Sequence, residues 1–243
     1  MTDAPVLLSE DIDGIRLLTL NRPKAMNALN TELVGAIVDA VDAAHREDDI
    51  SVIILAGNER AFSAGADLKE AQSRRGDSTQ AARLHSGAGG KLYQLGERTD
   101  KPIIAAVRGY VLGGGCNLAI SCDLVVAGEN AVFGYPELKR GLAATAVTPG
   151  LVHRIGPKVA FEMLALAENV TAQRAYELGM INRIVAGDAV IDTALDMARA
   201  LAAFDLAAVR TTKRVFQKST ELSLTQSLDV AREAALLGRA TKD

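Results

Sequence analysis

Cysteine and histidine are scarce: the 243 residues include two cysteines and three histidines. Cys116 and Cys122 lie in one apolar stretch, at a spacing that suits neither a zinc knuckle nor a redox pair, so they read as buried reduced thiols. His45, His85 and His153 stand far apart and form no metal-ligand pattern, so no metal is expected. Neither sign of charge dominates, with 27 basic against 30 acidic residues and a net charge of -3. That balance excludes a basic field able to attract nucleic acid or anionic lipid. No apolar run approaches the roughly 18 residues of a membrane helix, and Met1-Thr2-Asp3-Ala4-Pro5 does not start a secretory signal. The expectation is a metal-free cytoplasmic protein with no nucleic-acid or membrane partner.

What the chain does have is apolar content, 49% hydrophobic against 23% charged residues. That suffices for the core of one large domain, or of a domain with a helical appendage. Val6-Leu7-Leu8 and Ile15 to Leu20 flank an Asp13-Gly14 turn and predict a hairpin. Asn30-Thr31 caps a predicted helix with Leu33, Ile37, Val38 and Val41 on one face. Ser51 to Ala56, Ile103 to Val107 and Leu124 to Ala127 read as buried strands, with Ala131 to Phe133 as a fourth. A helical region from Leu68 to Arg98 separates the first two, broken at Arg74 to Ser78. The alternation predicts an α/β layered core. From Pro157 onward the pattern is helical, over Val159 to Ala167, Ala172 to Leu178, Ala189 to Phe204 and Leu206 to Leu237, with Ile184-Val185 a minor strand at most. The expected division is a core over residues 1–168 and a helical C-terminal region over residues 169–243.

Three segments carry chemistry. Gly113-Gly114-Gly115-Cys116-Asn117-Leu118 follows the strand of residues 103–107 and opens a helix. Glycines at such a turn bring backbone N–H groups close to a ligand, where the helix end adds partial positive charge. A dinucleotide fingerprint would need glycine where Leu118 stands; a close-packing turn and an anion or oxyanion site remain. Phe62 to Glu70 is a second loop of small residues, in which Asp67 is placed to cap the next helix. Two N–H groups from two such loops would make an oxyanion hole, each donor lowering a barrier by roughly 3 kcal/mol. The third segment, Phe133-Gly134-Tyr135-Pro136-Glu137-Leu138, puts Glu137 at the first turn of a short helix. In isolation that residue reads as ordinary N-terminal decoration; beside the two loops it becomes a candidate base.

Together with Asn21 to Leu29 and Lys101 to Ala127, these segments resemble the enoyl-CoA hydratase/isomerase, or crotonase, superfamily in order and spacing. The resemblance implies a crotonase-like spiral of ββα units with a helical C-terminal trimerisation region, and a homotrimer or dimer of trimers. It implies an acyl-CoA thioester substrate and no cofactor, coenzyme A being part of the substrate. The N–H groups of Ala66 and Gly114 would hold the thioester oxygen. Lys24, Ala25, Ala64, Gly65, Ala66, Asp67, Leu68 and Lys69 would follow the CoA moiety. Glu137 would take one of the family's two acid/base positions.

Asn117 stands where the hydratase pattern has its second glutamate. An amide holds a water but does not exchange protons near neutral pH. Moving a double bond from C3 to C2 needs one base only, so single-carboxylate isomerase chemistry at Glu137 is favoured over hydration. A hydratase-type lyase and a non-catalytic acyl-CoA-binding scaffold are the rival expectations; a thioester hydrolase lacks a water-activating group. After Gly141 the chain reads Leu142 to Gly150 without the usual proline and Gly-Gly turn, which implies a reshaped acyl pocket. Ending at Asp243 also puts CoA contacts from a longer tail in doubt. Tyr135 is expected to pack, Asp123 to bond backbone near the next strand, and His85, Arg74 and Arg75 to be surface residues.

Overall fold

The computed structural model describes residues 4–73 and 90–240. The expected break at Arg74 to Ser78, and with it Arg74, Arg75 and His85, lies outside the described residues. Strands β1 (Leu7–Ile12) and β2 (Ile15–Leu20) form the antiparallel hairpin around Asp13 and Gly14, both at positive φ. Helix α1 (Thr31–Arg46) follows, the Asn30 side chain accepting from the Leu33 amide at 3.0 Å.

The chain then repeats a unit of two strands and helix. The first holds β3 (Val52–Ala56), β4 (Ala61–Ser63), α2 (Leu68–Ser73) and α3 (Leu95–Arg98). The second holds β5 (Ile103–Val107), β6 (Tyr110–Leu112) and α4 (Gly114–Ser121). The third holds β7 (Leu124–Gly128), β8 (Val132–Gly134), α5 (Thr148–Ile155) and α6 (Pro157–Leu166). Next come β9 (Val170–Thr171), α7 (Ala172–Glu177) and β10 (Arg183–Val185). Helices α8 (Val190–Ala202), α9 (Leu206–Glu221) and α10 (Leu224–Ala240) finish the chain.

Each unit sends its first strand to one sheet and its second to another. The larger sheet has the order β1-β2-β3-β5-β7-β10 and is parallel from β2 onward; the smaller has the order β4-β6-β8-β9. Every residue of β3 and β5 is buried because both faces of the larger sheet are covered. Ile53, Leu55, Ile103 and Ala105 face Leu33, Ile37 and Val41 of α1. The alternate residues Ile54, Ala56, Ile104 and Ala106 face Val190, Ala194 and Ala198 of α8. Thus β10 and α8, both beyond residue 168, belong to the packing of the main sheet.

Buried lysines fasten the helices. Lys101 donates to the carbonyls of Ala44, at 2.6 Å, and Glu47, closing the C-terminus of α1. Lys213 on α9 donates to the Lys101 carbonyl and to Asp123, each at 2.7 Å. Asp123 also accepts from the Ile103 amide at 2.7 Å, so its role is the structural one expected. Burial raises the Asp123 carboxyl, and the Lys213 ammonium opposes that rise.

The sequence pattern misses β4, β6 and β9, which have three, three and two residues and are too short to show a period. The glycine run therefore follows β6, and the two loops leave neighbouring parallel strands of the smaller sheet, rather than the sheet of residues 52–56 and 103–107. Ile184-Val185 is the edge of the larger sheet. Among the described residues, no helix is long and apolar enough to cross a membrane, and no group of three or more His, Cys, Asp or Glu gathers as metal ligands.

Two substitutions test this packing. A Cβ on Gly115 would stand 2.5 to 2.7 Å from the carbonyl oxygen, Cβ and Oγ of Ser63, because α4 lies directly on β4. Gly115→Ala should cost about 1–3 kcal/mol in urea denaturation. Lys213→Met, which leaves Asp123 enclosed without its cation, should cost about 3 kcal/mol. Adding Asp123→Asn should recover part of that loss in the same assay.

Candidate active site

The turn from Asn21 to Leu29 anchors one side of the site. Asn27 is fully buried and left-handed, at φ 53°. Its side chain accepts from the Arg22 amide at 2.9 Å and donates to the carbonyls of Ala61 and Phe62, both at 3.1 Å. Its carbonyl accepts from Ser63 Oγ at 2.8 Å. The Leu29 amide then donates to the Gly65 carbonyl at 2.8 Å, and the Asp67 amide to the Leu29 carbonyl at 3.1 Å. Residues 63–67 are thereby sewn to the turn. Arg22 reaches Asp67 at 2.9 Å, and Asp67 caps α2 by accepting from the amides of Lys69 and Glu70 at 3.1 and 3.2 Å. Burial would raise the Asp67 carboxyl, but the Arg22 hydrogen bond and these amides hold it below its ordinary value.

The second loop meets the first at its glycines. Gly65 has φ +90°, and a Cβ there would stand 2.8 Å from the Leu112 carbonyl oxygen and 3.2 Å from the Gly114 nitrogen. From the other side, a Cβ on Gly114 would stand 3.7 Å from the Ala66 nitrogen and 2.5 Å from Tyr93 Oη. Among the described residues, neither the Ala66 nor the Gly114 amide donates to a backbone carbonyl. Two free N–H groups on adjoining loops can therefore be offered to one oxygen.

The third segment arrives through the smaller sheet, whose β6–β8 pairing continues into a Gly113 amide bond to the Gly134 carbonyl at 2.8 Å. Glu137 sits at the start of a single helical turn over Leu138–Arg140, as expected. A Cβ on Gly113, which has φ +51°, would stand 2.7 Å from Glu137 Oε1. Oε2 is enclosed without a hydrogen-bond partner. Burial raises the Glu137 carboxyl, with Arg140 opposing. A carboxyl raised in this way is a stronger base once ionised.

Asn117 lies one turn into α4, 2% exposed, with Oδ1 unpartnered. A Cβ on Gly150 would stand 2.9 Å from that oxygen. A cavity of about 790 Å³ opens beside it, lined by Tyr93, Gln94, Asn117, Gly150, His153 and Arg154 among others, but not by Ala66, Gly114 or Glu137. The free amides and the carboxylate are therefore not among its walls, although Tyr93, which approaches Gly114, and Asn117 are. Lys24 and Ala25 lie on a short turn over Pro23–Ala25, and Leu68 and Lys69 begin α2; Lys24 and Lys69 are exposed.

Tyr135 is fully buried in the core, as expected. Cys116 and Cys122 are buried free thiols that burial pushes up to about 12. The sequence reading missed Tyr93, which stands in a stretch without a motif and reaches the site only through the packing of residues 90–98. Asn27 and Arg22 lie within Asn21 to Leu29 and carry no motif of their own, although an asparagine after a proline-containing turn is a fair signal of left-handed backbone.

Comparison with known proteins identifies the family and the fold. Residues 10–240 match the family described as Enoyl-CoA hydratase/isomerase. The chain is 39% identical to a 2,3-dehydroadipyl-CoA hydratase of Escherichia coli (strain K12), over 94% of this chain and 88% of that protein. It is 33% identical to a crotonyl-CoA hydratase of Syntrophomonas wolfei, over 98% of this chain and 91% of the relative. A crystal structure of an enoyl-CoA hydratase from Mycobacterium smegmatis superposes with a TM-score of 0.91 at 32% identity, covering 97% of this chain and 91% of that one. The mixed α/β architecture, with its helical C-terminal region, is the crotonase fold. The chain belongs to the enoyl-CoA hydratase/isomerase family.

Proposed function

We propose that the protein acts on an acyl-CoA thioester through an enolate, and that its reaction is the isomerisation of a 3-enoyl to a 2-enoyl thioester by one carboxylate. The amides of Ala66 and Gly114 take the thioester oxygen, and Glu137 moves the proton. Lys24, Ala25 and residues Ala64 to Lys69 run along the CoA moiety. In the reaction, ionised Glu137 removes a proton from C2, and the electron pair passes into the dienolate, whose oxygen lies between the two amides. The same carboxyl returns the proton at C4, leaving the double bond between C2 and C3. No redox change occurs and no co-reactant enters.

The observation that carries this reading is the contrast at the two acid/base positions. Glu137 brings a carboxylate beside Gly113, while Asn117 brings a buried amide with a free Oδ1. A second reading, hydration of a 2-enoyl thioester, is favoured by the hydratase names of the relatives. The unpartnered Asn117 oxygen could accept a hydrogen bond from the attacking water, but could not take up its proton at neutral pH. We also propose that the protein is a homotrimer or a dimer of trimers. The exposed Phe204, Phe216, Leu224, Leu228, Leu236 and Leu237 on and beside α9 and α10 support burial of those helices between copies.

Purified protein given 3-enoyl-CoA and 2-enoyl-CoA of several lengths should interconvert them, followed by mass spectrometry. A 3-hydroxyacyl-CoA as main product would replace isomerisation by hydration, and binding without turnover would mark a scaffold. Glu137→Gln should lower turnover about 10²- to 10⁴-fold while retaining acyl-CoA binding. In the parent enzyme the acid limb of kcat/KM should lie above the ordinary glutamate range of about 4.3. Because the folded carboxyl is raised, its contribution to stability is full below the unfolded value and lost as pH rises through the folded one. Glu137→Gln should therefore melt higher than the parent at neutral pH, with the difference vanishing in acid.

A further inference from the structure

We propose that Tyr93 is a further catalytic residue, its hydroxyl donating a third hydrogen bond to the thioester oxygen beside the amides of Ala66 and Gly114. This inference rests on the enolate reading above. Tyr93 is half-buried just ahead of α3, and its ring enters the space over the start of α4. Its Oη stands 2.5 Å from the place a Gly114 Cβ would take, and the Ala66 nitrogen stands 3.7 Å from the same place. The phenol and the two amides thus border one small volume, whose apolar side is closed by Leu29 Cδ1 at 3.4 Å.

Gly114 leaves room there for the hydroxyl; any side chain at that position would displace it. Among the described residues, Tyr93 Oη makes no hydrogen bond that shifts its phenol, which responds to burial and to the Glu137 charge alone. Tyr135 is enclosed in the core and does not duplicate this position. Burial first, and the Glu137 charge second, push the Tyr93 phenol up to about 12. The phenol therefore stays protonated near neutral pH, and donates there without itself becoming an anion. No bond to carbon forms or breaks at the phenol. Its proton is shared with the enolate oxygen as charge develops, and stays on the phenol when Glu137 returns the other proton to carbon. Such a donor matters most where Asn117 supplies no acid.

The test uses the full chain and butyryl-CoA carrying a 13C carbonyl, an ester with no double bond to shift. Infrared difference spectra should show the bound carbonyl stretch lowered from its value in free butyryl-CoA. Tyr93→Phe should lower it less, and should reduce kcat about 10- to 100-fold with KM little changed. Incorporating 3,5-difluorotyrosine at Tyr93, a stronger donor of nearly the same shape, should lower the stretch further than the parent does. If Tyr93→Phe keeps the parent's stretch and kcat, the phenol is only a wall and the inference falls while the enolate reading stands. If the parent leaves the carbonyl stretch unmoved, the amides hold no oxygen and both fall.

Discussion

The site depends on one close approach, that of the loop after β4 to the glycines after β6. Backbone comes within a few ångströms of backbone there, an arrangement that Cβ atoms on Gly65 and Gly115 would prevent. Buried Asn27 holds the approach from behind, with both ends of its amide engaged and its carbonyl bonded to Ser63. The amides of Ala66 and Gly114 are left without backbone partners as a consequence of that geometry. Polar groups normally satisfied inside a protein are kept available by fully satisfying their neighbours.

The same economy explains the unpaired oxygens. Glu137 Oε2 and Asn117 Oδ1 are enclosed without partners, whereas Asp67 and Asp123, which support structure, have two or more hydrogen bonds each. An unpartnered buried polar group destabilises a fold, and these two oxygens stand near glycines, Glu137 Oε2 at Gly113 and Asn117 Oδ1 at Gly150.

Much of this architecture could be read from residue order. Long buried runs such as Val52 to Ala56 and Ile103 to Val107 are unambiguous, because a strand covered on both sides has no polar position. The capping roles of Asn30 and Asp67 follow from local stereochemistry and are found as expected. Strands of two or three residues carry no period, so β4, β6 and β9 were invisible, and of the smaller sheet, on which the site hangs, only β8 showed in the residue pattern.

By itself the sequence determined the α/β class, the family, the two glycine-bearing loops and the place of Asn117 just after the glycine run. These depend on residue identity and short-range spacing, which the chain carries in one dimension. Only the tertiary structure decided that the loops leave adjacent strands of the second sheet, that Glu137 closes over Gly113, and that Tyr93 reaches Gly114. Those relations join residues about 20 to 50 positions apart through packing of both sheets, and no local propensity encodes a distance of that kind.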